Sequence, residues 1–240
     1  MEPTCMTDGR AEVRDLGRLA YHEAWELQKR LVAQRHAGEA PDTLLVVEHE
    51  PVITVGRGAK GEVLAAGHET TDATRGGAPA TPIVAVERGG QATWHGPGQI
   101  VVYPIVKLAD DRHDLHGWMR ALEEATIRAM GEFGLVAGRR EGATGVWIDG
   151  ERKLCSIGVA ATRWVTWHGL ALNHENDLAA FAAINPCGFD AAVMTSMRRE
   201  LEDAAPPGAA PPRAVPPRQA VVAALVRHLQ DTLAPFRESA

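Results

Sequence analysis

Apolar positions recur at helical spacing from Leu16 to about Arg35: Leu16, Ala20, Ala24, Leu27 and Leu31, with charges between them. That pattern predicts an amphipathic helix behind a disordered lead-in over residues 1–14. Thr43–Val47 and Val52–Val55 are runs of valine, leucine and isoleucine broken by His49-Glu50-Pro51, which reads as two strands with a kink. Lys60–Pro82 is rich in Gly, Ala, Thr and Asp, with a short helix expected around Glu62–Ala66. Ile83–Glu87 and Ile100–Val106 are predicted strands flanking a twelve-residue loop.

The clearest helix is Asp114–Gly134, where Leu115, Trp118, Met119, Leu122, Ala125, Met130 and Phe133 form one stripe and Gly134 suits the C-terminal cap. Strands follow at Gly145–Ile148, Lys153–Ala160 and Val165–Asn173, the first two joined by a hairpin turn at Asp149-Gly150. Asp177–Ile184 reads as a short helix, and Thr195 is placed to cap another through about Ala204. Ala205–Arg218 holds six of the fifteen prolines and reads as a linker. Gln219–Phe236 closes the chain with a stripe of Val222, Leu225, Leu229 and Leu233. Helices interleaved with meandering strands, without βαβ alternation, favour an α+β fold of mixed sheets packed with helices.

Composition narrows the function classes. The chain has 240 residues, 25 basic and 31 acidic side chains and a net charge of −6, which argues against a nucleic-acid partner. No apolar run approaches the ~18 residues of a membrane span, and the N-terminal stretch lacks the apolar core of a secretory signal, so a cytoplasmic protein is expected. Three widely spaced cysteines (Cys5, Cys155 and Cys187) form neither a disulfide framework nor a zinc ribbon. None of the His-Glu pairs continues to a metalloprotease motif, so no metal is expected.

Candidate chemistry concentrates in three places. The loop Arg88-Gly89-Gly90-Gln91-Ala92-Thr93-Trp94-His95-Gly96-Pro97-Gly98-Gln99 carries four glycines and a proline around an arginine and a histidine. It matches neither a dinucleotide nor a Walker fingerprint and is read as a ligand-holding loop at a sheet edge. Cys187 sits in a Pro-Cys-Gly turn, where a thiol is exposed, but it needs a cation or base beside it to react as thiolate. Lys153, taken as half-buried at a sheet edge, could supply that charge and shuttle a proton. Cys155 is the rival nucleophile on the same strand, disfavoured because its face continues into Ile157 and Val159. Gly169 and Ala171, with Gly158 on the neighbouring strand, leave a gap suited to close approach of a narrow apolar chain.

Taken together, Arg88-Gly89-Gly90, Thr93, His95-Gly96-Pro97-Gly98-Gln99, Tyr103-Pro104-Ile105, Gly145-Val146-Trp147, Lys153, Ile157-Gly158, His168–Asn173 and Pro186-Cys187-Gly188 resemble the octanoyltransferases of lipoate biosynthesis. The match runs in order from about residue 15 to 204, which defines a catalytic domain followed by the 205–218 linker and a helix over 219–237, expected to pack on the same domain. The resemblance implies the lipoate/biotin protein ligase fold and transfer of an octanoyl group from acyl carrier protein to a lysine of lipoyl domains. Those domains belong to the E2 subunits of 2-oxo acid dehydrogenases and to the glycine-cleavage H protein. It implies Cys187 as acyl-thioester intermediate and Lys153 as its proton-handling partner. Arg88, Gly89, Gly90, Gln91, Ala92, Thr93, Trp94 and His95, with Ser156, Ile157, Gly158, Gly169, Leu170 and Ala171, would hold the acyl substrate, and His95 would help activate the incoming lysine.

No cofactor beyond the octanoyl-acyl carrier protein donor is implied, and neither nucleic acid nor membrane is a partner. Both protein partners are acidic in general character, which points to Arg57, Lys60, Arg139, Arg140, Arg198 and Arg199 as recognition cations. Two alternatives stay open at this point: an ATP-dependent lipoate or biotin ligase on the same fold, and a non-catalytic lipoyl-domain binder. Cys155 departs from the small residue expected at its position.

Overall fold

The computed structural model describes residues 10–59, 81–184, 191–202 and 213–238. In chain order these form β1 (Glu12–Leu19), α1 (Tyr21–His36), β2 (Thr43–His49), β3 (Val52–Val55), β4 (Ile83–Ala85), β5 (Ala92–His95), β6 (Gln99–Ile105), α2 (Leu115–Glu132), β7 (Ala137–Arg140), β8 (Ala143–Ile148), β9 (Arg152–Thr162), β10 (Val165–Asn173), α3 (Met197–Glu202) and α4 (Arg218–Leu233). Short 3-10 helices lie at Asp110–Arg112, Leu178–Ala183, Ala191–Val193 and Ala234–Phe236. This is the mixed α+β arrangement expected.

A seven-stranded sheet of order β1-β2-β6-β10-β9-β8-β7 forms the centre, and β4-β3-β5 make a small second sheet. Strands β6 and β10 are buried along their whole length, as sheets covered on both faces require. Their alternate residues divide the core. Ile100, Val102, Leu170 and Leu172 pack under Trp118, Leu122 and Met130 of α2 and Val221, Leu225 and Leu229 of α4. Val101, Tyr103, Val165 and Ala171 face Ala24, Leu31 and Val32 of α1.

Several expectations change. Residues 12–19 are neither a disordered lead-in nor the first turns of α1. They form β1, paired in parallel with β2, and their alternating exposure shows an edge strand with a single packed face. Within the predicted twelve-residue loop, Ala92–His95 is strand β5, antiparallel to β3. Strand β7, too short and polar to register as apolar, is supported by its ladder with β8. Helix α2 forms as predicted, its N-terminus capped by the Asp114 carboxylate, which accepts from His116 N and Gly117 N. Helix α3 is capped by Ser196, whose Oγ accepts from Arg199 N. Thr195 instead donates to Glu200 Oε1 at 2.6 Å. The expected helix at 62–66 and most of the proline-rich stretch, residues 203–212, lie outside the described residues.

Candidate active site

The segment Glu87–Gln91 is docked by its own backbone. Gly89 N donates to Val159 O, Arg57 N to Arg88 O, and Gly58 N to Gly90 O, at 2.9–3.0 Å. Arg88 is buried and locks the junction from inside, donating to Thr54 O and Oγ1 and to Gly89 O. The glycines opposite also stand close to the protein's own backbone. A Cβ on Gly158 would stand 2.9 Å from Gly89 O and 3.1 Å from Arg88 Cδ, while one on Gly169 would strike Val102 O and Pro104. Their missing side chains admit the loop and strand β6.

A narrow cavity of about 40 Å³ remains between the two sheets and the N-terminal turn of α1. Of the predicted binding residues, Arg88, Gly90, Thr93, His95, Ser156, Ile157, Gly158, Gly169, Leu170 and Ala171 line it. Trp94 and Ala92 do not, because they alternate to the other face of β5 and pack with Ile53, Phe181 and Met194. Tyr21, Val101, Tyr103 and His168 complete the wall and were missed. Tyr103 and His168 stand inside motifs already singled out, whereas Tyr21 reaches the cavity only through the docking of α1.

A wider cavity of about 510 Å³ adjoins the first, sharing Gly90, Ile157 and Gly158. Gly89 and Gln91 line this one, together with Leu115, Met119 and Lys153. Strand β9 is an interior strand of the sheet, so Lys153 is not at an edge and is only 3% exposed. Its Nζ lies 5.2 Å from the centre of the Trp147 ring, and its carbonyl accepts from Thr195 N at 3.0 Å. Cys187, Cys5 and Lys60 lie outside the described residues. On either side of Cys187, Ile184 is buried beside Trp94, and Met194 bridges to Lys153.

The histidines at and beside the narrow cavity are neutral at neutral pH, while Arg88 in its wall carries a charge. Burial pushes the imidazole of His95 down to about 3, His49 to about 4 and His168 to about 3. Both ring nitrogens of His95 are engaged, Nδ1 with Gln99 Oε1 at 2.7 Å and Nε2 with Thr54 Oγ1 at 3.3 Å. Gln99 in turn donates to Asn173 Oδ1, and Asn173 to Thr195 O. A continuous chain of hydrogen bonds therefore runs from Arg88 through Thr54 and His95 to the backbone beside Lys153. Burial also drives Cys155 up to about 12, so this thiol stays protonated and unreactive. Among the expected recognition cations, Arg139 is paired with Glu123 and Glu124, and Arg198 with Glu175.

A model of the lipoyl protein ligase A/B catalytic domain matches residues 20–226. The chain is 42% identical to an octanoyltransferase of Geobacter metallireducens over 95% of its own length and 97% of the relative's. It belongs to the octanoyltransferase family. As a member of that family it is an acyltransferase. Another octanoyltransferase, from Solibacter usitatus, is 48% identical over 77% of this chain and 81% of its own. A crystal structure of lipoate-protein ligase A bound with ATP superimposes with a TM-score of 0.65 at 17% identity, covering 97% of this chain and 89% of that one. The fold is thus shared by this chain and by a lipoate-protein ligase that binds ATP. Sequence, rather than fold, places this chain with the octanoyltransferases.

Proposed function

We propose that this octanoyltransferase takes an octanoyl group from the thioester of acyl carrier protein and passes it to a lysine of a lipoyl domain, with Cys187 carrying the acyl group between the two half-reactions. The observation that carries the reading is the junction of two cavities: a narrow one walled by Arg88, Gly90, Thr93, His95, Ser156–Gly158 and Gly169–Ala171, and a wider one holding the buried Lys153. Val101, Ile157, Leu170 and Ala171 give the first an apolar lining of the kind a hydrocarbon chain needs. The second leaves room for the carrier's thiol arm or the incoming lysine.

In the first half-reaction the Cys187 thiolate attacks the donor carbonyl. A new C–S bond forms, the bond to the carrier sulfur breaks, and the carrier leaves as a thiol with a proton from Lys153. In the second, the neutral ε-amine of the target lysine attacks the Cys187 thioester. The amide bond forms, the amine proton passes to Lys153, and sulfur leaves as thiolate. A thioester is already activated, so neither ATP nor a cofactor enters. Shielding from water lets the acyl-enzyme persist. The targets proposed are lipoyl domains of 2-oxo acid dehydrogenase E2 subunits and the glycine-cleavage H protein, with reaction in the cytoplasm.

Incubation with octanoyl-acyl carrier protein and no acceptor, followed by intact-mass measurement, tests this directly. The wild-type chain gains one octanoyl group, and Cys187→Ser gains none at that site. Acylation that persists in Cys187→Ser would refute the intermediate. Transfer that requires ATP would return the chain to the ligases.

A further inference from the structure

Within β10, His168 has a φ of 55°, a strained left-handed conformation for a non-glycine residue and one that tends to persist at functional sites. Successive side chains of a strand ordinarily face opposite sides. Here the rings of Trp167 and His168 stack, with centroids 4.5 Å apart and planes 23° from parallel. The imidazole is thereby turned toward the narrow cavity, edge-on to Tyr103. Its backbone N–H is held by Gln28 Oε1 at 2.9 Å. Its Nε2 is buried without a hydrogen-bond partner. Glu87 Oε2, 3.8 Å away, already accepts from Trp25 Nε1.

Strand register gives the cavity a direction. Leu172 faces Cys155 and His168 faces Val159, so Lys153 lies toward the Leu172 end and His168 toward the opposite one. Beyond His168 is a separate cavity of about 370 Å³, formed by α1 and the β9–β10 turn, to which Trp167 and Glu87 contribute. The two residues that His168 meets on its far side are therefore also walls of that neighbouring cavity.

We propose that His168 is the chain-length stop of the acyl site: its imidazole closes the tail end of the narrow cavity and keeps it separate from the larger cavity beside α1. Medium chains end against the ring, and longer chains collide with it. The inference rests on the narrow cavity being the acyl site.

The test is equilibrium binding of sodium octanoate and sodium dodecanoate to the full-length protein, measured by calorimetry, for wild type, His168→Gly and His168→Asn. Glycine adopts φ near +55° without strain and asparagine tolerates it, so both variants should fold, and thermal melting checks that they do. The affinity ratio of dodecanoate to octanoate is expected to rise at least tenfold in His168→Gly and by less in His168→Asn. A folded His168→Gly protein that keeps the wild-type ratio overturns the proposal, as does failure of both acids to bind the wild type. Octanoyl turnover is measured separately, so an inactive wild type that still discriminates chain length would refute the transfer reading and leave the stop intact.

Discussion

Arg88 Nη2 donates to both the carbonyl oxygen and the hydroxyl of Thr54 at 2.9 Å each, tying the glycine-rich segment to β3 before any substrate arrives. Its Nη1 donates at the same time to Gly89 O, and a lysine has no second nitrogen to hold Thr54 and Gly89 together. Arg88→Lys should raise KM for the octanoyl thioester about 10- to 100-fold, the scale of one lost charged hydrogen bond. Thr54→Val, which loses only the hydroxyl partner, should do less. Steady-state kinetics of the two variants check the order, and equal effects would contradict it.

Removing the Lys153 charge should separate chemistry from folding. The Lys153→Met side chain keeps methylenes against Trp147 and fills the same space. Octanoyl transfer should fall about 100-fold or more, the usual contribution of a positioned proton-transfer group, with the melting temperature within a few degrees of wild type. Single-turnover acylation measured beside thermal melting reads both. Near-normal acylation in this variant would remove Lys153 from the mechanism.

Glycines 158 and 169 should fail differently. A methyl group on Gly158 meets Gly89 O and Arg88 Cδ, so Gly158→Ala should displace the loop, cost about 1–3 kcal/mol and lose more activity than stability. Gly169→Ala drives a methyl group into β6 and should mainly lower the melting temperature. Comparing activity lost per degree of melting temperature in the two variants decides this, and the reverse ranking would mean that Gly158 serves only packing.

Acid should unfold the protein earlier than its carboxylates alone would dictate. His49, His95 and His168 are held near 4, 3 and 3 when folded, below the ~6.5 of an unfolded histidine. Between those values the unfolded chain binds more protons than the folded one. Stability is therefore full above about pH 6.5 and falls on acidification by up to about 1.4 kcal/mol per pH unit for each histidine. Melting temperatures between pH 7.5 and 4.5 should show the decline, and His49→Gln should make it shallower. A flat profile would mean that these imidazoles remain solvated.

What could be read along the chain was local. The α2 stripe with its Asp114 cap, the Asp149-Gly150 hairpin and the apolar runs of β2, β6 and β10 follow from spacing and turn chemistry that need no distant partner. The clustering of glycine, arginine and histidine in residues 88–99 likewise marked the cavity wall, because such a composition suits neither a plain helix nor a plain strand. The β9–β10 turn was not visible in this way: Arg163 and Trp164 both take positive φ without a glycine, and the stacking of Trp164 on His113 at 4.0 Å is a contact between distant parts of the chain.

The sequence by itself determined the family, the main helices and core strands, and most of the cavity wall, since motif order and periodicity are properties of neighbouring residues. Tertiary structure decided the rest. It made a strand of residues 12–19 by pairing them with β2, moved Lys153 from an edge to the interior, and brought Tyr21 to the narrow cavity. It showed that Gly158 and Gly169 yield space to backbone, and it turned His168 inward. Each of these outcomes depends on what lies across a sheet or under a helix, and one-dimensional spacing carries no record of that.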